Sequence, residues 1–200
     1  MNTGVKIGII IGVIVIGIAL ASPLFYDVEV DEPLPLSLND IEEDLTYEKF
    51  TTMNDEDREE IVEKMPDELK EMVMEKASTM IVPVSENWDE MAKDSDSVEK
   101  LKSGTFEGLA GHEAEGLAKI IQVNDMTFLR FENFQVTNGP DLRVYITPDG
   151  DVKNGIHLEK LKGSKGDQNY LLESIDVGVY DTVIIYCQPF GVYFGQAELM

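Results

Sequence analysis

From Ile7 to Phe25 the chain reads "IGIIIGVIVIGIALASPLF", nineteen residues without a charge. A helix rising ~1.5 Å per residue needs ~20 such residues to cross ~30 Å of hydrocarbon, so the run predicts a transmembrane helix or a signal segment. Ala19 and Ala21 give an A-x-A match to a signal-peptidase site, but the run exceeds the ~7–15 residues of a cleaved apolar region, which favours an uncleaved anchor. Lys6 is the only charged side chain before it and "DVEVDE" follows directly. The positive-inside bias therefore puts the N-terminus in the cytoplasm and everything after Phe25 outside, on a single-pass cell-membrane protein, or a secreted one if the segment is cleaved. No Cys stands directly after the run, which excludes a lipid-anchored lipoprotein.

Without that segment about 175 residues remain, enough for one good core or a core with a helical appendage. Residues 26–100 carry 25 acidic and 7 basic side chains, and residues 101–200 carry 14 and 8. This break predicts an anchor over 1–25, an extended acidic and Pro-containing stalk over 26–45, an acidic helical region and linker over 46–100, and a β domain over 101–200. The net charge of -23 repels phosphate backbones, and no basic stripe compensates, so nucleic acid is excluded as a partner. Cys187 is the only cysteine. An exported chain with one thiol has no internal disulfide and depends on its core.

In "NDEDREEIVEKMPDELKEMVMEKAS" Asn54 can cap a helix, Asp55, Glu56 and Asp57 suit its positive end, and Ile61, Val62 and Met65 share a face. Pro66 restarts the run, predicting a second helix over 67–77 with Leu69, Met72, Val73 and Lys76 at helical spacing. Met53, Met65, Met72, Met74 and Met80 could offer soft ligands to copper, but methionine more often fills gaps in small cores. Trp88 is expected to pack back on the helices. From Ser103 the period changes to short strands rich in Val, Ile, Tyr and Phe, with Asn124-Asp125 as a two-residue hairpin turn. The fold class expected is a mainly β C-terminal domain, an antiparallel sandwich or barrel-like fold. "VIIYC", apolar on both faces, should be a covered central strand.

Asp149, Asp151 and Asn154 have part of a calcium-loop spacing, but Lys160 sits where the closing Glu belongs, so a hairpin turn is the better reading. The Gly-Ser-Lys-Gly run lacks the spacing of a phosphate loop. His112 and His157 could join Cys187 in a copper set, yet the residues after the cysteine lack the order such sites use; both histidines also read as loop residues. No triad, His-Glu-x-x-His or paired-Cys motif supports a hydrolase. Cys187 itself reads either as a small buried hydrophobe or as a redox residue or ligand, which would need thiolate character and access. The break at Pro189-Phe190-Gly191 could bring its sulfur to the sheet's rim.

"SGTFEG", His112, "FLRFENFQVTNGPDLRVYITPDGD", "LEKLKGSKGDQNYLL" and "YDTVIIYCQPFGVYFGQAEL" resemble, in order and spacing, the DM-thirteen domain, an electron-transfer domain often found beside haem-binding modules. The resemblance spans about residues 103–199. It implies a β-sandwich-like domain outside the cell, engaged in redox chemistry through one cysteine, here Cys187, as a bare thiol or as a ligand to a prosthetic group such as haem; the sequence itself names no cofactor, and leaves haem and copper both open. Asn138, Gly139, Pro140 and Asp141, and Lys165, Gly166, Gln168, Asn169 and Tyr170, occupy its motif positions; Gly-Pro-Asp turns the chain and Gln-Asn can tie loop carbonyls to the sheet. His112 stands alone where family copies often have a His pair. The expected function is a membrane-anchored electron-transfer module with a redox partner on the outer face. The alternative is a non-enzymatic surface-binding module with Cys187 in its core.

Overall fold

The computed structural model describes residues 37–87 and 98–200. The run 7–25, most of the stalk and Trp88 lie outside the described residues. Among those described, no helix is long and apolar enough to cross a membrane.

Four helices come first: α1 (Leu38–Ile41), α2 (Tyr47–Thr52), α3 (Asp55–Lys64) and α4 (Asp67–Ser78). Each start has a local cause. Thr46 accepts a hydrogen bond from the Lys49 amide at 3.2 Å, and Asn54 accepts one from the Asp57 amide at 2.9 Å, so side-chain oxygens satisfy amides that have no partner inside the helix. Pro66 stands at the N-cap of α4, where its missing N–H costs nothing. Leu45, Phe50, Ile61, Met65, Leu69 and Val73 form one small core. Met72 does not join it: at 43 % exposure it faces away. Met65 lies in that core, Met74 packs against the β core and Met80 is 38 % exposed, so the methionines do not share a face that could gather a soft metal.

The rest is β: β1 (Pro83–Ser85), β2 (Val98–Thr105), β3 (Glu107–Gly108), β4 (Ala114–Val123), β5 (Met126–Val136), β6 (Leu142–Thr147), β7 (Ile156–Lys160), β8 (Lys165–Leu171), β9 (Thr182–Cys187) and β10 (Val192–Glu198). They make two five-stranded sheets, ordered β1-β8-β5-β4-β2 and β3-β10-β9-β6-β7. All pairings among them are antiparallel except β1 with β8. Asn124 turns β4 into β5 with a φ of 51°, and Val123 faces Met126 across the turn.

The barrel-like form of the expectation is corrected: no closed barrel forms. Each sheet keeps two edge strands, and the sheets touch where Ser103 and Met200 exchange two backbone hydrogen bonds of 3.0 and 3.1 Å. Gly104 permits that approach, since a Cβ there would stand 2.0 Å from the Glu198 carbonyl oxygen.

One core lies between the sheets. Ala118, Ile120, Leu129 and Phe131 come from the first, and Val144, Ile146, Val183, Ile185, Cys187 and Phe194 from the second. Phe131 meets both Phe106 and Phe134 at centroid distances of 4.8 and 4.9 Å, the spacing aromatic clusters favour. A bulge breaks the β4–β5 register between Glu115 and Leu117, and Asn133 adopts a φ of 50°. The extra residue shifts the side-chain alternation, so Phe134 and Val136 return to the core that Leu129 and Phe131 face. The middle strand of the second sheet is β9. Its burial on both faces, broken only at Tyr186, matches the unalternating "VIIYC".

Candidate functional site

Cys187 ends β9, in register with Leu142 of β6 and Val192 of β10. Its sulfur does not reach the rim: the residue is 0 % exposed. The Pro189-Phe190-Gly191 break is a tight turn in which the Gly191 amide donates to the Cys187 carbonyl at 2.9 Å, with Gly191 at a φ of 66°. The turn carries Phe190, which packs against both the β core and the helical core and stacks on Phe50 of α2 at 6.1 Å. Burial pushes the Cys187 thiol up to about 12, although backbone N–H groups of Phe190 and Asp141 donate toward it and pull the other way. Burial outweighs them because a charge without water loses its hydration.

The cover over this end is held by charge. Asp141, whose side chain is 2 % exposed, accepts from Arg58 of α3 at 2.6 Å and from Arg143 of β6 at 2.9 Å, with Lys160 at 3.4 Å. Arg58, equally buried, also meets Asp55 at 2.5 Å and the Thr51 carbonyl at 3.4 Å. Arg143 forks onto both oxygens of Asp55, at 2.8 and 2.5 Å. Helices and sheet are therefore joined by alternating charges, with Asp141 at the centre. The Arg143 hydrogen bonds hold the Asp55 carboxyl at about 2, below its ordinary 3.8. Burial works against the Arg143 charge, but bonds to Asp55 and Asp141 more than offset it and raise its pKa.

A pH dependence follows from Asp55. Its pKa is depressed in the fold, so its contribution to holding the helices is complete above about 3.8 and lost as pH falls toward about 2. Asp55 is half exposed, so solvent screens the effect. In an acid titration of the full chain, Asp55→Asn should remove the portion of the transition in that window and leave the rest.

The other motif residues build the scaffold. Gln168, 0 % exposed, accepts from the Gly163 amide at 3.2 Å and donates to the Gly163 carbonyl at 3.0 Å. Tyr170 donates to Gln168 at 2.7 Å, and burial raises the pKa of its phenol. Asn169 accepts from Arg130 at 2.9 Å. Lys165 and Gly166 pair with Pro83 and Val84 of β1; at Gly166 a Cβ would sit 1.9 Å from the Val84 carbonyl oxygen and φ is 115°, so the close pairing needs glycine. Gly139 turns beneath Leu142 and Phe194. Asn138, Gly139, Pro140 and Asp141 line a cleft of about 290 Å³ whose other wall includes Tyr47 and Thr51. Motif and helices thus face each other across a gap beside the charge cluster.

The histidines are apart from this. His112 stacks flat on Phe194 at 3.6 Å on the wall of a different cleft, of about 670 Å³, shared with Lys165 and Asn138. His157 packs on Tyr145 at 5.1 Å. Burial lowers the pKa of both. Among the described residues no group of three His, Cys, Asp or Glu side chains is placed to hold a metal. A sealed sulfur with no histidine grouped beside it does not fit a Cys-ligated haem or copper in this arrangement. The Asp149–Asn154 segment bonds within itself: Asp149 accepts from the Asp151 amide at 3.1 Å and from the Asn154 side chain at 2.8 Å, as a hairpin turn requires.

Sequence reasoning missed Arg58, Phe50 and Phe190 as the residues that tie the helices to the Cys187 end of the sheet. One signal was available: Arg58 is the single basic residue between Lys49 and Lys64 in a strongly acidic run. No curated protein and no solved structure matches the chain. Residues 105–199 match the family model described as Electron transfer DM13, a stretch that runs from β3 to β10 and includes Cys187 and both motif loops.

Proposed function

We propose that the protein is a redox module of the electron-transfer type, held on the outer face of a membrane by the 7–25 segment, with Cys187 as its reactive residue and the four helices as a cover over it. The match of residues 105–199 to the electron-transfer family model suggests the redox role. The observation that carries the reading of this chain is the seal itself: Phe50, Tyr47 and Arg58, all outside the matched segment, close over the Phe190 turn and Asp141 beside the sulfur. With the cover in place the thiol stays protonated. With water admitted, the burial cost falls while the two N–H donors remain, so the thiolate becomes accessible.

The chemistry is thiol–disulfide exchange with a partner protein's exposed disulfide. The Cys187 thiol gives its proton to solvent, and the thiolate sulfur attacks one disulfide sulfur. The Cys187–partner bond forms, the partner's disulfide bond breaks, and its second sulfur leaves as thiolate, so Cys187 is oxidised and the partner reduced. Incubating the full chain in a glutathione buffer of graded disulfide content tests this by mass spectrometry. The expected result is one glutathione adduct at Cys187, absent in Cys187→Ser; no adduct at any disulfide content would reject the reading.

A second reading has one observation in its favour. Complete burial of Cys187 is what a packing residue would show, and a surface-binding module would then work through its loops. Under that reading Cys187→Ser costs stability alone and changes at Asp141 or Lys165 abolish binding.

A further inference from the structure

The outer face of the second sheet carries a row of oxidisable rings that the sulfur chemistry does not use. Tyr193 of β10 lies in register with Tyr186 of β9, their ring centroids 5.1 Å apart at 73°. Tyr186 meets Tyr145 of β6 at 5.9 Å and 82°, and Tyr145 meets His157 of β7 at 5.1 Å. Four adjacent strands each contribute one ring, and the three tyrosines are half-buried, open to solvent on one side.

Aromatic cross-strand pairs of this geometry stabilise sheets. The steep angles between the rings make the row a poor platform for a flat ligand. They do not hinder electron exchange, which needs only that each ring touch the next. The hydroxyls differ in a way that matters for such exchange. A phenol that loses an electron becomes a strong acid, so the vacancy stays where a base can take the proton. The Tyr193 hydroxyl donates to the Asp151 carboxylate at 3.4 Å and accepts from the Val152 amide at 3.3 Å. The Tyr145 hydroxyl donates to the Gln188 side-chain carbonyl at 3.0 Å, and an amide oxygen is too weak a base to keep that proton. The row therefore has a terminus, at Tyr193.

We propose that Tyr145, Tyr186 and Tyr193 form a one-electron relay across the outer face of this sheet, with Tyr193 and Asp151 as its proton-coupled end. A strong one-electron oxidant, of the high-potential metal-oxo or photo-oxidised metal-complex class, takes one electron from the row and is reduced by one. Tyr193 becomes a neutral phenoxyl, its proton moves to Asp151, and no other bond changes. Return of an electron from a one-electron reductant, passed through Tyr186 or Tyr145, brings the proton back. The relay is independent of Cys187, whose side chain points into the core on the opposite face of β9 from Tyr186.

The test is flash oxidation of the full chain by tris-bipyridyl ruthenium with persulfate as electron acceptor, reading the tyrosyl radical by freeze-quench electron paramagnetic resonance. Tyr193→Phe is expected to lose most of the radical signal, and Asp151→Asn to slow its formation several-fold. Tyr180→Phe, a half-buried tyrosine outside the row, should leave the signal intact. Equal losses for Tyr193→Phe and Tyr180→Phe, or no loss for Tyr193→Phe, would overturn the relay. Cys187→Ser should change neither yield nor rate, and a loss there would overturn its independence from the sulfur. The glutathione adduct at Cys187 should persist in Tyr193→Phe, so this proposal and the thiol reading can fail separately.

Discussion

Replacing Arg58 by alanine should destabilise the full chain by about 3–5 kcal/mol, the range for removing one partner of a buried ion pair. Both side chains of the Arg58–Asp141 pair are 2 % exposed, so water cannot readily replace the lost guanidinium. Arg143 and Lys160 still face Asp141, which places the expected cost at the lower end. Joint replacement with Arg58→Met and Asp141→Leu should cost far less, because no buried charge is left alone. Denaturant titration of the two variants measures the difference. The single change should also loosen α3 from the sheet while the core between the sheets stays intact.

Cys187 should react with a small thiol reagent about a thousand-fold more slowly at neutral pH than an ordinary exposed thiol, since its pKa of about 12 stands against an ordinary 9.0 and each unit is a factor of about ten in thiolate. Stability should follow the same shift. A thiol whose pKa is raised in the fold contributes fully below the unfolded value, and that contribution is lost as pH rises from about 9 to about 12. Stability curves of the chain and of Cys187→Ala should converge across that window. If their difference is constant with pH, the sulfur is already open to water.

Much of the architecture was legible because local chemistry decided it. Asn54 and Pro66 mark helix starts through capping and the missing N–H, and both stand where the structure begins α3 and α4. The two-faced apolar run of β9 gave its central position. The closure of the sheets was not legible, because edge strands are defined by partners that a single strand's pattern does not name. Met72 shares helical spacing with Leu69 and Val73 yet is exposed, since helical spacing lets several faces be drawn through a short helix and only the partner surface selects one. The β5 alternation fails at Asn133 for a related reason: a bulge shifts the face of everything beyond it.

The candidate site divides in the same way. Cys187 and Asp141 could be chosen from sequence, one as the lone thiol and one within a turn motif. Their relation to the helices could not, because Arg58 and Asp141 are 83 positions apart and Phe50 meets Phe190 only after both cores have formed. The Pro189-Phe190-Gly191 break suggested exposure, since breaks end strands. Here the sulfur stays buried, and the turn's Phe190 packs against both the β core and the helical core.

In the proposed mechanism the helices control access to a reactive Cys187. The deciding measurement is the rate of glutathione-disulfide exchange at Cys187 at neutral pH, on the intact chain and on Arg58→Ala. Slow exchange is expected in the intact chain, and much faster exchange in Arg58→Ala while the β core stays folded. Equal rates in the two proteins would rule out control by the helices.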